Sequence, residues 1–185
     1  MARGNPAALA LGPGYLYLAP LGTPEPVDLI AAIASVSVAW AGLGYTDAGT
    51  TINYQLNTSP VDVAEELDPI SNAPDGRTMN VDFALSEITA SNLKRAFNGG
   101  TITGATGCVY FEPPDLGSEL RIMLLYEAED HTERWIFRQC FNAGQIAMAR
   151  QKGASNATIP VSFMLERPAS GLKLFRAIMA APQRQ

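Results

Sequence analysis

The residues able to do chemistry in this sequence are few, and their spacing keeps them apart. A nucleophile–base pair needs a histidine within hydrogen-bond reach of a serine, cysteine or threonine, and His131 is the sole histidine. It falls in the polar stretch Ala128-Glu129-Asp130-His131, close to Glu133, where an exposed hairpin-turn residue is the expectation. A zinc site needs several Cys or His ligands at set spacings. The two cysteines, Cys108 and Cys140, form no CxxC pair and are expected to be buried free thiols. The carboxylate pairs Glu65-Glu66 and Glu129-Asp130 lie in loop-like segments, where acids are normally solvated. The acidic stretch around them has no EF-hand spacing. No GxxxxGK[ST] phosphate loop occurs, and "GLGYTDAG" lacks the third glycine of a dinucleotide-binding turn. No catalytic residue, metal site or cofactor is therefore expected, and the protein reads as a non-enzyme.

Composition narrows the remaining classes. A chain of 185 residues can bury one sizeable core. It is 47% hydrophobic and 17% charged, which argues against disorder and suggests surface destined for burial against other copies. The net charge is −5. The densest basic stretch, Arg121, Arg134, Arg138, Arg150 and Lys152, is interrupted by acids, so gripping a nucleic-acid backbone is not expected. An acidic surface that DNA passes without sticking stays open. The opening "MARGNPAALALGPG" is broken by Pro6, Gly12, Pro13 and Gly14 and does not read as a secretory signal. "LIAAIASVSVAWAGLG" falls short of the roughly 18–20 apolar residues of a membrane span. The expectation is a soluble protein made in a cytoplasm.

The positioning elements are mostly strands. Residues 1–13 read as a flexible arm, 14–167 as one β domain and 168–185 as a C-terminal segment. "GYLYLAP" predicts a short strand. "DLIAAIA" is ambiguous, while "SVSVAW" alternates as a strand does. "TTINYQLN" sets Ile52, Tyr54 and Leu56 on one face; "TMNVDFALSEI" does the same for Met79, Val81, Phe83 and Leu85. The intervening residues 58–77, acidic and rich in proline, predict a long loop. A helix is predicted at about 90–98, capped by Thr89 and stopped by Gly99. "LRIMLLYE" and "ERWIFRQCF" form a second hairpin. "ATIPVSFMLE" sets Ile159, Val161, Phe163 and Leu165 on one face, with Pro160 suggesting an edge or bulge, and "LKLFRAIM" suggests a last strand. Seven or eight strands and one short helix predict a mainly-β fold: two packed antiparallel sheets, a β-sandwich or partly open barrel.

The order of these pieces resembles the major tail tube proteins of siphophages, especially those of actinobacteria. The residues that carry the resemblance are "GYLYLAPLGT", "LGYTDAGTTINY", "DGRTMNVDFALSEITASNLKRAFNGG" and "ATIPVSFML", spanning about Gly14 to Glu166. The resemblance implies a structural virion protein of a long non-contractile tail. Its subunits would form hexameric rings stacked into a hollow tube, assembled in the host cytoplasm. Its implied partners are further copies of itself, a tape measure protein inside the tube, and tail terminator and distal tail proteins at the ends. DNA would pass through the lumen unbound, with no role for a membrane.

Mapped onto this chain, Ile52, Tyr54, Leu56, Val81, Phe83 and Leu85 are expected to fill the core. Asn53, Gln55, Asn80, Asp82 and Ser86 would face the lumen. The segment 58–77, with Val61, Asp62, Val63, Glu65, Glu66 and Asp68, is the expected ring-stacking loop. Two alternatives stay open: another β-rich virion part, such as a tail terminator or capsid decoration protein, and a β-sandwich binding module using Trp40, Tyr45, Tyr54 and Trp135 as a stacking platform.

Overall fold

The computed structural model describes residues 13–62, 64, 67–148, 150, 157–169 and 171–180. Residues 1–12 of the expected arm, and Val63, Glu65 and Glu66 of the expected stacking loop, lie outside the described residues. The elements are β1 (Gly14–Pro20), α1 (Ile33–Val36), β2 (Ala41–Gly42), β3 (Thr46–Val61), β4 (Ser71–Leu85), α2 (Ala90–Ala96), β5 (Thr101–Ala105), β6 (Cys108–Glu112), β7 (Ile122–Ala128), β8 (Glu133–Asn142), β9 (Ile159–Leu165) and β10 (Phe175–Met179). The fold is mainly β with little helix and two sheets, as expected, but the sheets are very unequal. Eight strands make one sheet in the order β2-β1-β7-β8-β9-β4-β3 with β10 beside β8, and β5–β6 is a separate hairpin.

The large sheet closes on itself through its two end strands, which are consecutive in the chain. β2 pairs with β1 (Leu18 opposite Ala41), and the Leu43 amide extends that ladder to the Leu16 carbonyl at 2.9 Å. At Gly44 the backbone turns through φ +80. The Tyr45 carbonyl then accepts from the Ser86 amide at 2.9 Å, and β3 takes up β4 with Thr46 opposite Leu85. Three residues thus hand the chain from one edge of the sheet to the other. Glycine suits the switch because its φ is left-handed and a Cβ there would meet the Glu87 carboxylate at 2.6 Å.

Alternation fills the barrel. Leu16 and Leu18, Met79, Val81, Phe83 and Leu85, Leu124, Phe137, and the β9 series Ile159, Val161, Phe163 and Leu165 share one buried cluster. Phe83 stacks on Phe163 at 5.7 Å between ring centres. Pro160 falls where β9 is paired only with β4, since the β8 ladder covers Phe163 to Leu165 alone. The helix caps one end of the barrel as predicted. The Thr89 hydroxyl accepts from the Asn92 amide, and Ala96 is buried with Leu93 and Phe97 against the core. Its stop differs in detail. Asn98 takes the left-handed position (φ 58), and the Gly99 amide donates back to the Lys94 carbonyl at 2.8 Å, the double closure of a Schellman turn.

A second apolar layer lies outside the barrel. Ala19, Met123, Leu125 and Ile136 on the outer face of the sheet pack against Ile33 and Trp40. The "SVSVAW" segment therefore forms no strand, contrary to the pattern. It is a single helical turn and a bend that lays Trp40 on the sheet, with the indole N–H donating to the Pro24 carbonyl at 3.0 Å. Two arginines of β8 clip this segment down. Buried Arg134 bonds Glu127 through Nε at 2.8 Å and reaches the carbonyls of Asp28 and Ala31, each at 2.8 Å. Arg138 grips both Glu25 carboxylate oxygens at 2.6 and 2.9 Å, an attachment that raises its pKa.

Three further expectations are corrected. Residues 58–77 are not a loop for most of their length: β3 runs to Val61 and β4 begins at Ser71. Tyr54 and Leu56 are exposed rather than core, because their part of β3 projects past the barrel. Only Ile52 packs against the core from that strand. Cys108 is exposed, and only Cys140 is the buried thiol expected; burial pushes its pKa far up. The strand β5 was hidden by the Gly/Thr-rich composition of "GGTITGATG".

The buried Arg134–Glu127 pair gives a direct test of the outer layer. Removing one partner strands a desolvated charge, so Arg134→Ala should cost about 3–5 kcal/mol of stability. Urea unfolding of the purified protein measures this, and a loss below about 1 kcal/mol would show that the segment is held by its apolar contacts instead.

Candidate assembly surfaces

The most unusual feature is the far half of the β3–β4 hairpin. The ladder is continuous from Thr46↔Leu85 to Val61↔Ser71, with irregularities at Asp47/Thr50 and Asn57/Thr58. The first coincides with left-handed backbone at Ala48 (φ 52) and Gly49 (φ 83), as a bulge that adds twist requires. Side chains of β4 alternate between buried and half-buried from Thr78 onward, but from Ser71 to Arg77 all are exposed. Their partners on β3, Leu56 to Val61, are exposed apart from the half-buried Ser59, and so are Asn53 to Gln55 just before them. Beyond Asn80, the last β4 residue paired with β9, Tyr54–Val61 and Ser71–Thr78 make an arm roughly 25 Å long that pairs with no other described strand. It carries Tyr54, Leu56 and Val61 into solvent, with Leu67 fully exposed at its tip. An isolated two-stranded ribbon is marginal in water, and unpaired strand edges invite another chain.

The expected stacking residues gather at this tip where they are described. Val61 ends β3, and Asp62 and Asp68 are exposed; Ser59 and Asp75 hydrogen-bond across the ribbon. The expected lumen residues also share a surface. Asn53 lies opposite Asn80 and Gln55 opposite Thr78. The Asn53 amide donates to Asp82 at 2.5 Å. Ser162 of β9, which the sequence reading did not single out, donates to the other Asp82 oxygen. The face is therefore a hydrogen-bonded polar sheet surface spanning β3, β4 and β9, opposite the core. Ser86 stands beyond the end of β4 and instead closes the barrel through its amide. Asn80 Oδ1 is buried with no donor among the described residues.

Other candidate chemistry does not come together. His131 sits at the β7–β8 turn with φ 54, and its Nδ1 lies 3.0 Å from a Glu127 oxygen that Arg134 also binds. That contact ties the turn to the buried Arg134–Glu127 pair, whose carboxylate oxygen is already held by the guanidinium. No group of three or more His, Cys, Asp or Glu side chains that could hold a metal occurs among the described residues. The four aromatics proposed as a platform are dispersed. Trp40 is buried in the outer layer, Trp135 stacks on Phe175, and Tyr45 and Tyr54 are nine positions apart on or beside β3, roughly 30 Å along the chain. No described helix is long and apolar enough to cross a membrane.

A groove of about 290 Å³ lies at the opposite end of the barrel from the arm. Leu18, Ala19 and Ile122 line it, with Ile102 and Leu120 also contributing, and Lys94 and Arg95 come from α2. Arg95 donates to the Gly42 carbonyl and to Asn92, which ties the helix to the barrel closure. Burial lowers its pKa. No described carboxylate lies within ion-pair distance of Lys94 or Arg95.

The division of the hairpin is measurable in the dispersed protein. Amides in the arm, residues 54–61 and 71–78, should exchange with solvent at least about tenfold faster than those of Val81 to Leu85. Hydrogen-exchange mass spectrometry reads this directly; equal protection along the hairpin would mean the arm is already covered in the free protein.

Comparison with known proteins bears on these surfaces. No curated protein matches the sequence. Among solved structures, Hcp1 from Salmonella typhimurium aligns over 91% of this chain and 95% of its own at 10% identity, with a TM-score of 0.36, too loose a superposition to carry an argument. The family model described as "Phage tail tube protein" matches residues 1–182, nearly the whole chain. The chain belongs to the phage tail tube protein family.

Proposed function

We propose that this structural tail protein polymerises as stacked hexameric rings into the hollow tube of a long non-contractile phage tail, through which genomic DNA is delivered. The observation that carries this reading is the β3–β4 arm. It is an ordered two-stranded ribbon with apolar side chains in water and both edges free beyond the barrel. Such a ribbon is stabilised when another chain supplies the missing packing and strand pairing. The second free edge needed for a ring is available on β10, which pairs only with β8 among the described strands. A sheet continued from subunit to subunit around a channel removes both edges.

The polar face of Asn53, Gln55, Asn80 and Asp82 is the surface we assign to the lumen, with Ser86 at its rim. Small polar and acidic groups there would repel phosphates weakly and give DNA nothing to grip. Val61, Asp62, Val63, Glu65, Glu66 and Asp68 are assigned to contacts between rings. In this reading the tube encloses a tape measure protein, is finished by tail terminator and distal tail proteins, and assembles in the host cytoplasm. A terminator or decoration protein would instead form closed rings or bind capsids.

Two experiments test it. Purified protein at high concentration should form tubes in negative stain, and replacing Ser59–Asp75 with an Asn-Gly turn, which suits a two-residue hairpin, should leave folded protomers or single rings. Long tubes from the shortened protein would refute the arm's role, and closed rings from the intact protein would favour the terminator reading. For the lumen, Gln55→Lys should leave tubes intact while reducing plaque formation by at least about tenfold, because a ring of added cations holds the phosphates. Unchanged infectivity would place this face elsewhere. Asp82 is a poorer probe, since its hydrogen bonds to Asn53 and Ser162 brace the sheet.

A further inference from the structure

The arm and the α2 groove occupy opposite ends of one strand. β4 starts at Ser71, next to the tip, and ends at Leu85, after which Thr89 opens α2. Fifteen residues of extended chain span roughly 50 Å, so the tip of a protomer cannot fill its own groove. The tip presents fully exposed Leu67 flanked by exposed Asp68 and, across the turn, Asp62. The groove presents an apolar lining of Leu18, Ile102 and Leu120 beside Lys94 and Arg95, and no acidic residue lines it. An apolar side chain with carboxylates beside it matches an apolar pocket with cations beside it, and Arg95 is already partly stripped of water without a described carboxylate partner.

From this complementarity we infer that the groove between β1 and α2 receives the arm tip of a second copy of this chain, Leu67 entering the apolar floor and Asp68 meeting Lys94. The inference rests on the arm acting between copies, and adds where it docks. A contact between unlike surfaces at opposite ends of a protomer is heterologous, and repeats without closing. It therefore builds a stack with a direction, every copy offering one tip and one groove.

The test uses two full-length proteins in a Cys108→Ser background, which leaves Cys140 as the buried native thiol. One carries Ile70→Cys, an exposed position beside the tip that leaves Asp68 in place, and the other Ser91→Cys, an exposed groove-side position. Oxidising the mixture should yield a disulfide-linked dimer in excess of that from either protein alone, whether or not tubes form. Adding Lys94→Glu to the Ser91→Cys protein should abolish the excess; adding Asp68→Lys to the Ile70→Cys protein as well should restore it. No excess dimer from the mixture overturns the groove assignment even if the wild-type protein makes normal tubes. Excess dimer insensitive to Lys94→Glu also overturns it. Failure of the wild-type protein to form tubes, with the dimer still present, would count against the tube and leave the docking contact standing.

Discussion

A strand ladder can extend beyond the core that anchors it, and this protein is organised around one that does. The pairing of β3 with β4 begins inside the barrel, where Val81, Phe83 and Leu85 are buried, and continues out to Val61 and Ser71. Backbone hydrogen bonds hold the ribbon together, but they do not bury Tyr54 or Leu56. The inner half supplies the stability and the outer half supplies reach. Without the buried half the ribbon would be too weak to stay formed; without the exposed half the barrel would be a self-sufficient domain.

The foundation of such an arm has to be stiff, and the sheet is unusually well braced. Central strand β7 is buried on both faces, with Leu124 in the barrel and Met123 and Leu125 under the outer segment. Placing Arg134 and Glu127 beneath that segment is tolerable because the guanidinium also bonds two carbonyls, leaving little of its charge uncompensated. At the capped end Asn142 does similar work. Its side chain donates to the Ala96 carbonyl and accepts from the Ser162 amide, and its backbone is bonded on both sides by Asn98. Asn142 thereby ties the helix, the barrel rim and the polar face of β9 together.

Much of this was legible along the chain. Period-two alternation located β4 and β9 with their buried faces, because each strand has one wet and one dry side over most of the barrel. Thr89 and the Gly99 neighbourhood marked the helix, since caps are satisfied locally. The polar residues Asn53, Gln55, Asn80 and Asp82 share one face for the same reason, whereas Ser86, expected beside them, lies past the end of β4. Alternation failed where burial did not follow it. "SVSVAW" alternates, yet folds as a turn that lays Trp40 on the sheet, while the β8 arginines hold the residues leading into it across about a hundred positions. "TTINYQLN" alternates, yet two of its three apolar-face residues, Tyr54 and Leu56, point into solvent.

What the sequence alone determined was therefore the local currency of the fold: which segments extend, which faces are apolar, where the helix begins, and, through the ordered motifs, the family. How far the core reaches along each strand was set by contacts between distant segments. The prolines and acids of residues 58–77 read as loop because composition reports solvent exposure, and an arm without a core is as exposed as a loop. The closure of β2 onto β1 through Gly44, the clamp from Arg134, and the groove beside α2 all depend on residues distant in sequence meeting in space. No window along the chain contains them together.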